Sequence, residues 1–291
     1  MSICLICKGN QQELIWNSKI RNGSKTFTKK NEKIYQCNNC ELIFLKNKRR
    51  LLENSSITRN KYNKNNSIKE FKKFHTPREI KKLEFIKKYI NFKNKEILES
   101  NCGSGVILDK LFESAKKTYG LDNKFYKEYF DTKEHTFYSH IDSIIKNKKK
   151  FDIILSLSEI EHKYNPIIFL NKIKKLMKKN SKLVLRIPNY NNIYYYLLNK
   201  KFLKYDFRTS HNFYFSEKNL DILFKKLKFK ILVKKGFNEY SLNHLFTFIK
   251  KGRRVKSHEV KNVYSNKKTS EVIKNIEDTM SSTSLIYILK I

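Results

Sequence analysis

Apolar positions along the chain follow two rhythms, and the points where one gives way to the other mark out its elements. Ile80, Leu83, Ile86 and Ile90 recur at the spacing of one helix face. That helix carries a start signal: Thr76 as N-cap, Pro77 at the first helical position, and Glu79 closing a capping box. Short apolar runs follow at 97–99, 118–121, 137–138, 151–157 and 183–187, each the length of a buried strand. Helical stripes alternate with them. Leu108, Leu111, Phe112 and Ala115 form one over 106–115, and Phe169, Leu170, Ile173, Leu176 and Met177 form another behind the Asn165-Pro166 start. Ser216 caps a later helix carrying Leu220, Leu223, Phe224 and Leu227, with further strands at 229–233 and 285–290. Strand and helix in alternation predict an α/β fold with a doubly wound sheet.

The pattern breaks in three places. From residue 46 to about 75 it turns polar, rich in Asn, Lys and Ser, and reads as a linker or docking segment anchored by Tyr62, Phe71 and Phe74. Around 190–210 it turns aromatic, with Tyr190, Tyr194, Tyr195, Tyr196, Phe202, Tyr205 and Phe207, and reads as a helical insertion on the substrate side. A second insertion spans 236–284, with a helix-like run at 242–249 and a basic cluster at 250–254 that reads as a solvated face.

The first 45 residues hold the most specific chemical signal. Cys4-Leu-Ile-Cys7 and Cys37-Asn-Asn-Cys40 are two Cys-x2-Cys knuckles, and four thiolates complete a tetrahedral zinc site. A closed four-cysteine site has no position left for substrate, so the metal is expected to hold the fold. A disulfide pair is the rival reading, but nothing in the sequence points to an oxidising compartment. Residues 1–45 are accordingly expected to form a small zinc-ribbon-like module ahead of the main domain at 76–291.

The second signal is the stretch Ile97-Leu-Glu-Ser-Asn-Cys-Gly-Ser-Gly105. Two of the chain's seven glycines lie here within three positions, at a strand-to-helix turn where the backbone must approach something closely. With Gly120-Leu-Asp122, Phe151-Asp-Ile-Ile, Glu161-His162-x3-Pro166 and Leu183-Val-Leu-x-Ile-Pro-Asn189 it resembles the class I S-adenosylmethionine-dependent methyltransferases, in order and in register over about 96–227. The resemblance implies a Rossmann-like sheet of seven strands with the last antiparallel. Glu161-His162 and Pro188-Asn189 resemble the branch acting on small molecules, and the four-cysteine N-terminus resembles members that modify sugars and surface polysaccharides.

The same resemblance implies roles. Gly103 and Gly105 let backbone approach the methionine portion of the cofactor, and Glu99 bonds through the turn or toward its amino group. Asp122 holds the ribose hydroxyls, Ile141 and Asp142 flank the adenine, and Leu157 and Ser158 lie beside the methionine portion. Asn101 stands where the family pattern has glycine; asparagine tolerates positive φ, so the turn is expected to survive with a side chain close to the cofactor. If the acceptor is a hydroxyl, a neutral histidine suits the role of base. His162 and His211 are the candidates, the latter in Arg208-Thr-Ser-His211-Asn-Phe-Tyr-Phe-Ser216, which resembles the segment before the last helix of this branch; His75, His135 and His244 have weaker claims.

Charge changes this picture little. The 63 basic against 27 acidic residues leave +36, which invites a nucleic-acid partner or attraction to anionic membrane surfaces and phosphorylated substrates. The lysines are spread over the whole chain beside a general excess of Asn and Ile, the mark of an AT-rich coding bias, so nucleic acid is the less favoured partner. Signatures of base-modifying enzymes are missing too: Pro77, Pro166 and Pro188 form neither Pro-Cys nor Asn-Pro-Pro-Tyr. An RNA methyltransferase and a non-catalytic member of the fold remain the alternatives to a small-molecule or glycan methyltransferase. No apolar run approaches a membrane span, and the N-terminus lacks a secretory pattern, so the expected compartment is the cytoplasm.

Overall fold

The computed structural model describes residues 3–23, 26–48, 68–122, 134–253, 255, 259–261 and 266–291. Tyr62 and most of the expected linker lie outside the described residues, as do the side chains of Phe71, Phe74 and His75. In chain order the strands are β1 Gln12–Ser18, β2 Glu32–Cys37, β3 Ile43–Leu45, β4 Glu96–Ser100, β5 Lys117–Leu121, β6 Thr136–Tyr138, β7 Phe151–Leu157, β8 Met177–Pro188, β9 Phe213–Tyr214, β10 Lys230–Phe237 and β11 Ser284–Lys290. The helices are α1 Ile68–Lys87, α2 Val106–Leu111, α3 Ile141–Lys146, α4 Pro166–Lys175, α5 Ile193–Leu198, α6 Lys200–Asp206, α7 Glu217–Lys226, α8 Leu242–Lys251 and α9 Asn266–Asp278. Among the described residues no helix is long and apolar enough to cross a membrane.

These elements fall into two units. One comprises Arg50–Arg186, Leu227–Val233 and Tyr287–Ile291, and holds most of the seven-stranded sheet, whose order is β10-β11-β8-β7-β4-β5-β6. The chain enters at β4, steps outward through β5 and β6, and returns to β7 on the other side of β4. Pairings β4–β5, β5–β6, β4–β7 and β7–β8 are parallel. β11 lies between β8 and β10. The central strands are apolar without alternation because helices cover both faces: Ile97, Leu98, Ile154, Leu155, Leu183, Val184 and Leu185 are fully buried. The reversal of strand order between β4 and β7 is the topological switch point, where open α/β sheets place ligands beyond the carboxyl ends of their strands.

Three local expectations are corrected. α1 begins at Ile68, so Thr76 and Pro77 lie inside it. Thr76 Oγ1 donates to the Lys72 carbonyl (2.6 Å), the back-bonding of a mid-helix threonine rather than a cap. α2 stops at Leu111, leaving Phe112 38 % exposed with its ring edge-on to His135 instead of in the core. Met177, assigned to a helix stripe, opens β8 opposite Phe151.

The other unit comprises Met1–Arg49, Ile187–Lys226 and Lys234–Ile286. Its sheet has the order β1-β2-β3-β9, antiparallel throughout. β9 comes from far along the chain and pairs Ile43 with Tyr214 and Phe44 with Phe213. The knuckles rest on α7, where Lys226 Nζ donates to the Leu5 and Ile6 carbonyls (3.2 and 2.9 Å) and Asn219 Nδ2 to the Cys40 carbonyl (3.4 Å). The cysteine-bearing segment thus falls in one compact unit with 187–226 and 234–286. Helices α5, α6 and α8 pack around Tyr194, Leu242, Leu245 and Phe248.

Candidate cofactor and metal sites

The switch-point turn is built from left-handed backbone. Asn101, Gly103 and Gly105 have φ of 61, 54 and 73°. Asparagine is the non-glycine residue that best tolerates this region, which is how the turn keeps its course without the first glycine. Asn101 N–H donates to the Leu121 carbonyl (2.8 Å), tying the turn to the end of β5. The Asp122 carboxylate accepts from Gly103 N–H (2.8 Å), so the acidic residue closing β5 also braces the turn. A Cβ built on Gly103 would meet nothing within 4 Å. The protein leaves room there, and within the chain only φ calls for glycine.

Glu99 lies beneath this turn. It is buried, and its Oε2 has no hydrogen-bond partner. Burial pushes its carboxyl well above the usual range; Glu79, Asp122 and Asp109 add to the rise, and Lys82 opposes it. Lys82 is itself buried and committed to Glu79, with both carboxylate oxygens within 2.9 Å. An orphaned carboxylate oxygen next to an open backbone cradle fits a ligand that brings a cationic donor.

At the end of β7, Ser158 has φ 67° and its N–H donates to the Arg186 carbonyl (2.8 Å). Arg186 is buried and donates through Nη1 to Ser158 Oγ. The next residue, Glu159, escaped sequence reasoning. It is buried, accepting from Ser156 Oγ (2.6 Å) and pairing with Lys163 (2.7 Å). Only its position after an apolar strand could have marked it. Leu157 is buried beside them. Asp142 lies in the first turn of α3, but its side chain is 69 % exposed and ion-paired with Lys172 of α4 (2.7 Å).

The histidines divide between the units. His162 ends a 3-10 turn spanning Ile160–His162, with its side chain 28 % exposed and Nε2 3.8 Å from Glu161 Oε1. His211, in the other unit, is buried between α6 and β9 with its ring tilted against Tyr214. His135 is spent on structure, its ring nitrogens facing Thr118 Oγ1 (2.6 Å) and Asp109 Oδ1 (3.1 Å). His244 Nδ1 meets the Tyr194 hydroxyl (3.1 Å).

In the unit that holds residues 1–49 the four cysteine sulfurs all lie within 4.8 Å of one another. The Cys4–Cys40 and Cys7–Cys37 separations are 3.6 and 3.5 Å. Zn–S bonds of about 2.3 Å at tetrahedral angles put sulfurs about 3.8 Å apart, so the set fits zinc, and none of the four is in a disulfide. Lys8 and Glu41, each one residue past a knuckle, take φ of 66 and 60° to bring the pairs round. The Cys40 thiol lowers Cys4 to about 5 through their hydrogen bond and is raised by the same contact.

The sequence matches the family described as "Methyltransferase domain" over residues 72–234, and the chain belongs to that family, with the fold of a class I S-adenosylmethionine-dependent methyltransferase. A curated relative, the ubiquinone biosynthesis O-methyltransferase of Pelagibacter ubique (strain HTCC1062), is 28% identical over 138 residues. The match takes in 44% of this chain and 52% of the relative, so the chain spans about half of that protein's length. Among solved structures, one holding the Haloferax volcanii Trm112 methyltransferase activator with a putative methyltransferase aligns with a TM-score of 0.53 and 13% identity, covering 76% of this chain and 93% of that one. A SAM-dependent methyltransferase from Archaeoglobus fulgidus aligns with a TM-score of 0.50 and 20% identity, covering 74% and 94%. These likenesses show the fold.

Proposed function

We propose that the protein is a cytoplasmic S-adenosylmethionine-dependent methyltransferase acting on a small molecule, a sugar or surface-polysaccharide precursor, with a structural zinc ion held by Cys4, Cys7, Cys37 and Cys40. The observation that carries this reading is the unpartnered Glu99 Oε2 beneath a turn whose Gly103 faces open space. When bound, the donor supplies a methyl group already activated on a sulfonium, so the protein's work is alignment and exclusion of water. Glu99 accepts from the donor's ammonium, and Gly103 and Gly105 admit its methionine portion. Asp122 takes the ribose hydroxyls while holding Gly103 N–H. Ile141 borders the adenine with the backbone of Asp142, whose side chain is held by Lys172. Leu157 and Ser158 flank the methionine portion, with Ser158 fixed by Arg186.

The relative's O-methyltransferase name favours a hydroxyl acceptor. Such an acceptor must lose a proton, and His162 or His211 takes it. The zinc site would order the knuckles and their sheet, without a role in the reaction. Titration calorimetry of zinc-loaded protein with S-adenosylhomocysteine tests the cofactor reading: saturable binding at one site per chain is expected, and its absence overturns the assignment. Mass spectrometry of small molecules and glycans from cells with and without the gene identifies the acceptor by a methyl-sized difference.

A further inference from the structure

We propose that Arg21 is an oxyanion-recognition residue, a buried guanidinium that binds a carboxylate or phosphate group of a small ligand. Its residue is only 7 % exposed, and its Nε is buried without a hydrogen-bond partner. Among the described residues no acceptor meets that Nε. The backbone around it is fixed. Arg21 N–H donates to the Phe207 carbonyl (3.0 Å), its carbonyl accepts from Thr209 N–H (2.9 Å), and it bridges Phe27 on one side and Arg208 on the other. The acid of that neighbouring segment is already committed: Asp206 Oδ1 takes Arg208 Nη2 at 2.9 Å. Glu41, on the same unit's knuckle, is held by Lys218.

A buried lysine in this position would shed its proton and become neutral. Arginine cannot, so its charge, with Nε left unpaired, persists at every physiological pH. Its planar fork of donors matches two oxygens of a carboxylate or phosphate, and an arriving anion recovers the interaction the fold withholds. The anion is either a group on the acceptor, a version that rests on the methyltransferase reading, or a free anion acting as an effector. The site itself does not depend on methyl transfer.

The test uses full-length, zinc-loaded protein in chloride buffer at constant ionic strength, titrated with inorganic phosphate and with acetate while melting temperature is read. The wild type should show a saturable rise with at least one of them. Arg21→Lys should weaken that binding by at least about tenfold, because the bidentate fork is lost. Arg21→Met should abolish it, and should melt above the wild type in the anion-free buffer, since an apolar chain replaces a buried charge whose Nε is left unpaired. If Arg21→Met fails to fold or melts lower, and Arg21→Lys keeps the full anion response, Arg21 is structural and the proposal is overturned. A non-saturating rise shared by all three proteins overturns it as well. Parallel titration with S-adenosylhomocysteine separates the two readings: lost anion binding with intact cofactor binding sinks Arg21 alone, and the converse sinks methyl transfer alone. Phosphate that competes with the acceptor assigns the anion to the substrate, and phosphate that does not compete assigns it to an effector.

Discussion

Asn101→Gly separates what the turn owes to backbone conformation from what it owes to space. Asn101 sits at φ 61°, a region that costs an ordinary L-residue about 1–2 kcal/mol and asparagine less. Glycine removes that cost but adds about 0.5–1 kcal/mol of unfolded-state entropy, so the two nearly cancel. The N–H bond to Leu121 survives the change. Melting temperature should therefore move by no more than about 2 °C. Affinity should respond more. If the asparagine side chain crowds the amino-acid end of the cofactor, relief of about 1 kcal/mol tightens binding roughly fivefold. Calorimetry with S-adenosylhomocysteine reads this directly. An unchanged dissociation constant would show that the side chain is not in the way, and tighter binding with a large loss of stability would refute the conformational account. Gly103→Ala is the counterpart. Its Cβ meets no protein atom, so at φ 54° it should cost only about 1 kcal/mol of stability, whereas binding should fall at least tenfold because the space belongs to the ligand.

Three further outcomes follow from the buried charges and the cysteines. The raised Glu99 carboxyl contributes stability that is fully present below the unfolded value near 4.5 and lost as pH rises through the folded one. Glu99→Gln should thus stabilise the cofactor-free protein at neutral pH, an advantage that vanishes toward pH 4.5, while weakening S-adenosylhomocysteine binding; urea melts across pH decide, and a pH-independent difference counts against it. Glu96 runs the other way. Desolvation pushes it up, but Lys149 and Lys178 outweigh that and hold it at about 2, so its contribution is present above pH 4.5 and lost as pH falls through 2. Glu96→Gln should destabilise at pH 7 and become neutral near pH 2. Metal analysis should find one zinc per chain, and Cys37→Ser or strong chelation should release it and unfold the four-stranded sheet, the binding being worth on the order of 10 kcal/mol; metal-free protein with an unchanged melt would end the zinc assignment.

How much of this was legible depended on how local each signal was. The strands around the switch point could be read because buried parallel strands are continuous apolar runs, and the glycine turn because positive φ restricts residue choice at 101, 103 and 105. The closeness of the four cysteines could be read because two Cys-x2-Cys pairs have the spacing of a four-ligand set, and the fold brings their sulfurs within 4.8 Å of one another. The start of α1 was misplaced for the same reason it looked clear: Thr76-Pro77 is a local start signal, and the helix that overrides it begins eight residues earlier. What stayed hidden was non-local. No pattern near residue 43 reports that β3 pairs with β9, or that Lys226 and Asn219 would seat the knuckles on α7. Arg21 belongs to this second kind. In the sequence it is one of 63 basic residues, in a chain whose charge is best read as compositional. Its significance exists only once the fold has buried it between Phe27 and Arg208 and assigned Asp206 to its neighbour. A compositional excess of charge therefore carries little functional information, whereas a single guanidinium buried with its Nε left unpaired carries more.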